Sequence, residues 1–138
     1  MRMHDQTTPR LNGILESTLY VADMERSARF YQSLFGFVVI DRGERLIAMA
    51  AGERQVLLLF KKGASARIPV TPHDGSGELH LAFAIPASEL TAWEARLTAH
   101  SVAIEDRRHW PRGGTSLYFR DPDRHLIELA TPGVWTIY

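Results

Sequence analysis

Glu128 stands in "LIELA", a run that is otherwise apolar at every position. An ionised carboxylate among apolar side chains is costly unless a cation or hydrogen-bond donors compensate it. Glu128 must therefore face water, or something that attracts negative charge. Two further ionisable residues share this setting: Glu16 in "ILESTLYV" and His80 in "ELHLAFAI". Two carboxylates and an imidazole converging on one point would suit a divalent metal ion. Taken singly, each has a plainer reading. Glu16 reads as a solvated strand residue, His80 as a hydrogen-bonded sheet histidine, and Glu128 as the partner of a cation such as Arg120. Nearby, "SLYFR" supplies Tyr118, and the preceding loop "RRHWPRGG" supplies Trp110 and Arg112. A guanidinium there could recognise an anionic group on a small molecule.

Whether these groups meet depends on the elements that carry them. "ILESTLYV" alternates as a strand, and "ADMERSARFYQSLFGF" follows as a helix with Asp23 as N-cap and Gly36 as its stop. Strands "FVVIDR", "LIAMAA" and "QVLLLF" complete the first half. The second half repeats the order: strand "ELHLAFAI", helix "PASELTAWEARLTAH" capped by Ser88, then "VAIEDR", "TSLYFR" and "LIELA". The chain thus reads as two βαβββ modules, at about 11–62 and 77–134, in one domain spanning 11–138. A Gly-, Ser- and Pro-containing linker at 63–76 joins them. Strand side chains alternate faces. Leu79, Leu81, Phe83, Leu117, Phe119, Ile127 and Leu129 therefore form a helix-covered face, and Glu16, His80, Tyr118 and Glu128 fall on the other. The expectation is an α+β fold whose curved, cup-like mixed sheet gathers these four residues inside.

The bulk properties narrow the function classes. The 138 residues carry 16 basic and 16 acidic side chains, so no basic field exists for nucleic acid or an anionic membrane. The absence of cysteine excludes disulfides, Cys-ligated zinc and thiol nucleophiles. The longest apolar run, around "VLLLF", is too short to span a bilayer. Residues 1–10 are polar and lack the apolar core of a secretory signal, so they read as a flexible tail on a cytoplasmic protein.

The duplicated order, with "LYVADMERSARFYQSLFGF" and "RGGTSLYFRDPDRHLIELATPG", resembles the vicinal oxygen chelate superfamily. That group includes glyoxalase I, extradiol dioxygenases, fosfomycin-resistance thiol transferases and bleomycin-binding proteins. The most specific stretch is "YFRDPDRHLIEL", and the resemblance runs from Leu11 to Trp135. It implies a divalent ion held by residues of the first, fifth and eighth strands, which here are Glu16, His80 and Glu128. Glu16 replaces the usual His. The donor set is accordingly harder, favouring Mn, Mg or Fe, with Zn and Ni also open. Leu58 occupies the position of glyoxalase I's fourth ligand, so that site is incomplete. By the same resemblance Tyr118 and Glu128 are the expected catalytic residues, and Trp110, Arg112 and Tyr118 the expected substrate contacts. The expected function is that of a metal-dependent enzyme acting on a small molecule, by lyase, isomerase or dioxygenase-type chemistry. The alternative is a metal-free protein that sequesters its ligand, as bleomycin-resistance proteins do. A homodimer is expected, with each cup formed either within one chain or by modules exchanged between two.

Overall fold

The computed structural model describes residues 7–138. The first six residues of the expected tail lie outside the described residues, and residues 7–10 form neither helix nor strand. Each half builds a four-stranded mixed sheet. In the first, β1 (Glu16–Val21) lies parallel to β4 (Val56–Lys61), followed by antiparallel β3 (Leu46–Ala50) and β2 (Val38–Arg42). In the second, β5 (His80–Ala84) lies parallel to β8 (Leu126–Ala130), followed by antiparallel β7 (Thr115–Arg120) and β6 (Asp106–His109). The identical order, with the crossover helix at the same place, bears out the two-module reading.

Helix α1 (Met24–Phe35) follows the expected caps. The Asp23 carboxylate accepts the Arg26 N–H at 3.1 Å, and Gly36 closes the helix with φ 73°. Its buried side includes Ala28, Tyr31 and Leu34. The second helix departs from expectation. Ser88 lies inside a 3-10 turn at Ala87–Glu89, and α2 (Leu90–Ala99) begins after it without a side-chain cap. Arg96 of α2 instead donates to the carbonyls of Leu34 and Ser33, satisfying the C-terminal end of α1. β6 is also displaced from "VAIEDR". Val102 and Ile104 pack against the core ahead of the strand, which then takes in Arg108 and His109 from the segment expected to be loop.

One apolar core joins the modules. Leu19, Leu57 and Leu59 from the first sheet meet Leu117, Phe119, Ile127 and Leu129 from the second, with the helices between. Phe35 sits at the centre of an aromatic cluster, with ring centroids 5.0 Å from Phe83, 5.5 Å from Trp93 and 6.2 Å from Phe119. A polar junction lies beside it. Asp121, in the turn between β7 and β8, accepts the Tyr31 hydroxyl at 2.8 Å, and Asp123 accepts the Ala22 N–H at 2.9 Å. His125, fully buried, accepts the Leu79 N–H through Nδ1. It therefore carries its proton on Nε2, which donates to the Tyr20 carbonyl at 2.8 Å. The segment at 63–76 has no helix or strand and folds back on the first sheet. There the His73 ring bonds the Tyr20 hydroxyl and packs edge-on against Phe60.

Candidate functional site

The ladders of the second sheet place the candidate residues. Tyr118 pairs with Glu128 across β7 and β8, Ser116 with Ala130, and His80 with Leu126 across β5 and β8. The odd-numbered apolar residues of these strands point to the core, so His80, Ser116, Tyr118 and Glu128 share the opposite face. Glu128 is only 6% exposed, whereas His80 is open to solvent.

The hydrogen bonds fix how this pair is presented. His80 Nδ1 lies 2.8 Å from the Leu126 carbonyl, which can only accept, so Nδ1 carries a proton. In the neutral ring Nε2 then presents a lone pair, and it stands 3.2 Å from Glu128 Oε1. Two acceptors facing each other at that distance require a proton or a cation between them. Ligands each about 2.1 Å from one ion, at right angles, lie about 3 Å apart, so the spacing fits a shared divalent metal. The Nδ1–H to carbonyl bond is also the usual orienting contact of a metal-bound histidine. Glu128 Oε2 accepts the Ser116 hydroxyl at 2.5 Å, and Ser116 Oγ accepts the Trp110 indole N–H at 2.8 Å.

Tyr118 lies beside them, its ring 6.3 Å from that of His80. Burial raises its hydroxyl pKa and the Glu128 charge adds to this, while the neighbouring Ser116 hydroxyl and the Arg108 charge pull the other way. The phenol therefore stays protonated at neutral pH and can donate a hydrogen bond.

Glu16 stands apart. It is exposed at the start of β1, on the other sheet. Among the described residues, no three His, Cys, Asp or Glu side chains of this one chain gather as metal ligands. The structure thus brings together His80, Glu128 and Tyr118, with Trp110 behind them, and leaves Glu16 outside the group. Arg120, the alternative partner for Glu128, pairs with Glu105 instead. Arg112 is exposed and makes no side-chain hydrogen bond or ion pair among the described residues.

Two residues carry roles that the sequence reading passed over. Arg108 faces Ser116 across the β6–β7 ladder, and its guanidinium lies 5.4 Å from the centre of the Trp110 ring and 5.3 Å from that of Tyr118. One of its nitrogens bonds Asp106 at 3.0 Å. The run "DRRH" is polar and exposed throughout, so no alternation in the chain marks Arg108 as a strand residue. The other is Ser116, a small polar residue with no distinguishing pattern. Beyond Glu128 the face is lined by Ala82, Ala84 and Ala130, and with Trp135, Ile137 and Tyr138 they border a hollow of about 690 Å³. That volume suits a small organic molecule.

The loop from Trp110 to Gly114 is a tight hairpin, closed by the Trp110 N–H to Gly114 carbonyl bond at 2.8 Å. Gly114 is buried against the backbone of Gly133 and Val134, where a Cβ would collide. Gly114→Ala should therefore cost about 1–3 kcal/mol, as overpacking does. Thermal unfolding would show a melting temperature lower by several degrees, and an unchanged value would mean that the loop yields freely.

The model of the Glyoxalase/Bleomycin resistance protein/Dioxygenase superfamily matches residues 11–129. Among solved structures, lactoylglutathione lyase from Agrobacterium tumefaciens superposes with a TM-score of 0.86 at 29% identity, covering 93% of this chain and 99% of that one. Metallothiol transferase FosB from Shouchella clausii is 29% identical over 123 residues, 88% of this chain and 81% of the relative. Catechol-2,3-dioxygenase from Bacillus subtilis is 32% identical over 112 residues, 80% of this chain but 38% of the relative's length.

Proposed function

The chain belongs to the Glyoxalase/Bleomycin resistance protein/Dioxygenase superfamily, and from that premise we propose that it is a metal-dependent enzyme acting on a small molecule with two adjacent oxygens. The observation that carries this reading is the His80–Glu128 pair, whose Nε2 and Oε1 face each other 3.2 Å apart. A divalent ion held there would act as a Lewis acid toward substrate oxygens. Tyr118 would hold a proton ready for a substrate oxygen, with Glu128 fixed beside it. Arg108 offers its remaining donors to an anionic group, with Trp110 and Arg112 as further substrate contacts. The resemblance to a lyase and a dioxygenase supports lyase, isomerase or dioxygenase-type chemistry.

Glu16 enters as the third ligand from a second copy of the chain, in a homodimer that exchanges modules. Two observations support this. Glu16 lies outside the group formed by His80 and Glu128 of its own chain, and large apolar residues stand exposed at Leu11, Ile14, Leu15, Val38, Ile40, Trp135 and Ile137. Apolar surface of this extent is usual at subunit contacts. No helix of the described residues is long and apolar enough to cross a membrane, and we place the protein in the cytoplasm.

The direct test is calorimetric titration of tag-free, chelator-stripped protein with Mn, Fe, Zn, Ni and Mg, alongside sedimentation. A dimer that takes up one of these ions stoichiometrically is expected. A dimer that binds none of them would overturn the metal reading and favour metal-free sequestration.

A further inference from the structure

Trp110, Ser116 and Glu128 form a directed chain of hydrogen bonds whose polarity follows from chemistry alone. An indole N–H can only donate. Ser116 Oγ, 2.8 Å from Trp110 Nε1, must therefore accept there. The hydroxyl has a single proton, and a carboxylate can only accept, so that proton goes to Glu128 Oε2 at 2.5 Å. Ser116 is fully buried and has no water to turn toward. Its own position is set by the β7–β8 ladder, and the indole is held by the hairpin at Trp110–Gly114 and by Arg108 on its ring.

From this geometry we infer that Ser116 is a positioning residue for Glu128, and that Trp110 locks it in the donating orientation. With Oε2 tied to Ser116, only Oε1 remains to face His80 Nε2. The carboxylate is thereby presented through one oxygen, at a fixed rotation, before any ion arrives. Trp110 also becomes an optical and magnetic reporter of what happens at Glu128. The part of the inference that concerns metal rests on the reading proposed above; the coupling between Trp110 and Glu128 does not.

The two are separated by experiment. In metal-free protein, the indole Nε1–H resonance of Trp110, assigned by its disappearance in Trp110→Phe, should move in Glu128→Gln and in Ser116→Ala. A resonance that stays put in both variants would overturn the coupling. In calorimetric titrations with the ion that the wild type binds, Ser116→Ala should weaken affinity about 10–100-fold, the usual effect of losing a contact behind a ligand, and Ser116→Thr should restore most of it. Wild-type affinity in Ser116→Ala would overturn the positioning role. Should the wild type bind no ion while the indole still responds to Glu128→Gln, the metal reading fails and the Trp110–Glu128 coupling stands supported.

Discussion

Glu128→Gln is expected to abolish tight binding of the divalent ion while leaving the fold intact. Residues that merely orient a ligand cost about 10–100-fold in metal affinity when removed, so losing the ligand's charge should exceed about 100-fold. The fold survives because glutamine has the same shape and finds partners for both ends of its amide. Its carbonyl can accept the Ser116 hydroxyl in place of Oε2, and its NH₂ can donate to the lone pair of His80 Nε2. The Ser116 bond is thus kept, the contact with His80 is made with glutamine as the donor, and the negative charge goes. Thermal unfolding should match the wild type within a few degrees in metal-free buffer, while calorimetry should register little heat on metal addition. Glu128→Ala is a poorer test, because it also leaves the buried Ser116 hydroxyl without its acceptor. Retention of wild-type metal affinity by Glu128→Gln would remove Glu128 from the ligand set.

Much of this site was legible in the chain because strand alternation is strict. Once "LIELA" and "ELHLAFAI" are strands with Leu and Ile on the covered side, Glu128 and His80 have nowhere to point but the other face, and the structure places them within 3.2 Å. The repeated element order then fixes which strands are neighbours, since β1 with β4 and β5 with β8 are the same parallel pair made twice. What the chain does not give has equally definite causes. Matching the two first strands leaves open whether Glu16 meets His80 within one chain or across two, because equivalence under a repeat is not proximity. The two modules share one apolar core, and among the described residues no ladder joins the two sheets. Arg108 was missed because Val102 and Ile104 imitate a strand while packing as connection, which pushed the true β6 four residues later than "VAIEDR" begins. Ser116 was invisible for a different reason. Its importance comes from the partner on each side, Trp110 and Glu128, and no property of serine announces that. His125 is silent in the chain for the same reason, because only the folded chain reveals that it ties Leu79 to Tyr20.

The largest effect on stability should come from Asp121→Ala, far from the proposed chemistry. Asp121 is 5% exposed and accepts three hydrogen bonds: from the Tyr31 hydroxyl at 2.8 Å, the Asp123 N–H at 3.0 Å and the His125 N–H at 2.8 Å. Alanine leaves all three donors without an acceptor, one of them on a fully buried tyrosine. Each orphaned buried group costs about 1–3 kcal/mol, and some of the backbone donors can recover water at the turn, so a loss of about 3–5 kcal/mol is expected. For a domain of this size that lowers the melting temperature by roughly 10–20 °C. The damage should spread, because the same turn carries His125 and Asp123, which hold Tyr20, Ala22 and Ser27 of the first module. Tyr31→Phe removes one donor only, and the double variant should fall short of additivity by about 0.5–3 kcal/mol. Asp121→Asn separates the charge from the hydrogen bonds. Burial raises the Asp121 pKa above its usual 3.8, against the Tyr31 and backbone donors that pull it down. A carboxyl whose folded pKa is raised stabilises the fold fully below its unfolded value and loses that contribution as pH rises through the folded one. The stability of wild type relative to Asp121→Asn should therefore decline as pH climbs upward from 3.8, then level off. Denaturant curves for the two proteins across that range measure the difference directly. A difference that grows with pH, or an Asp121→Ala variant that melts with the wild type, would show that the junction between the modules does not depend on this carboxylate.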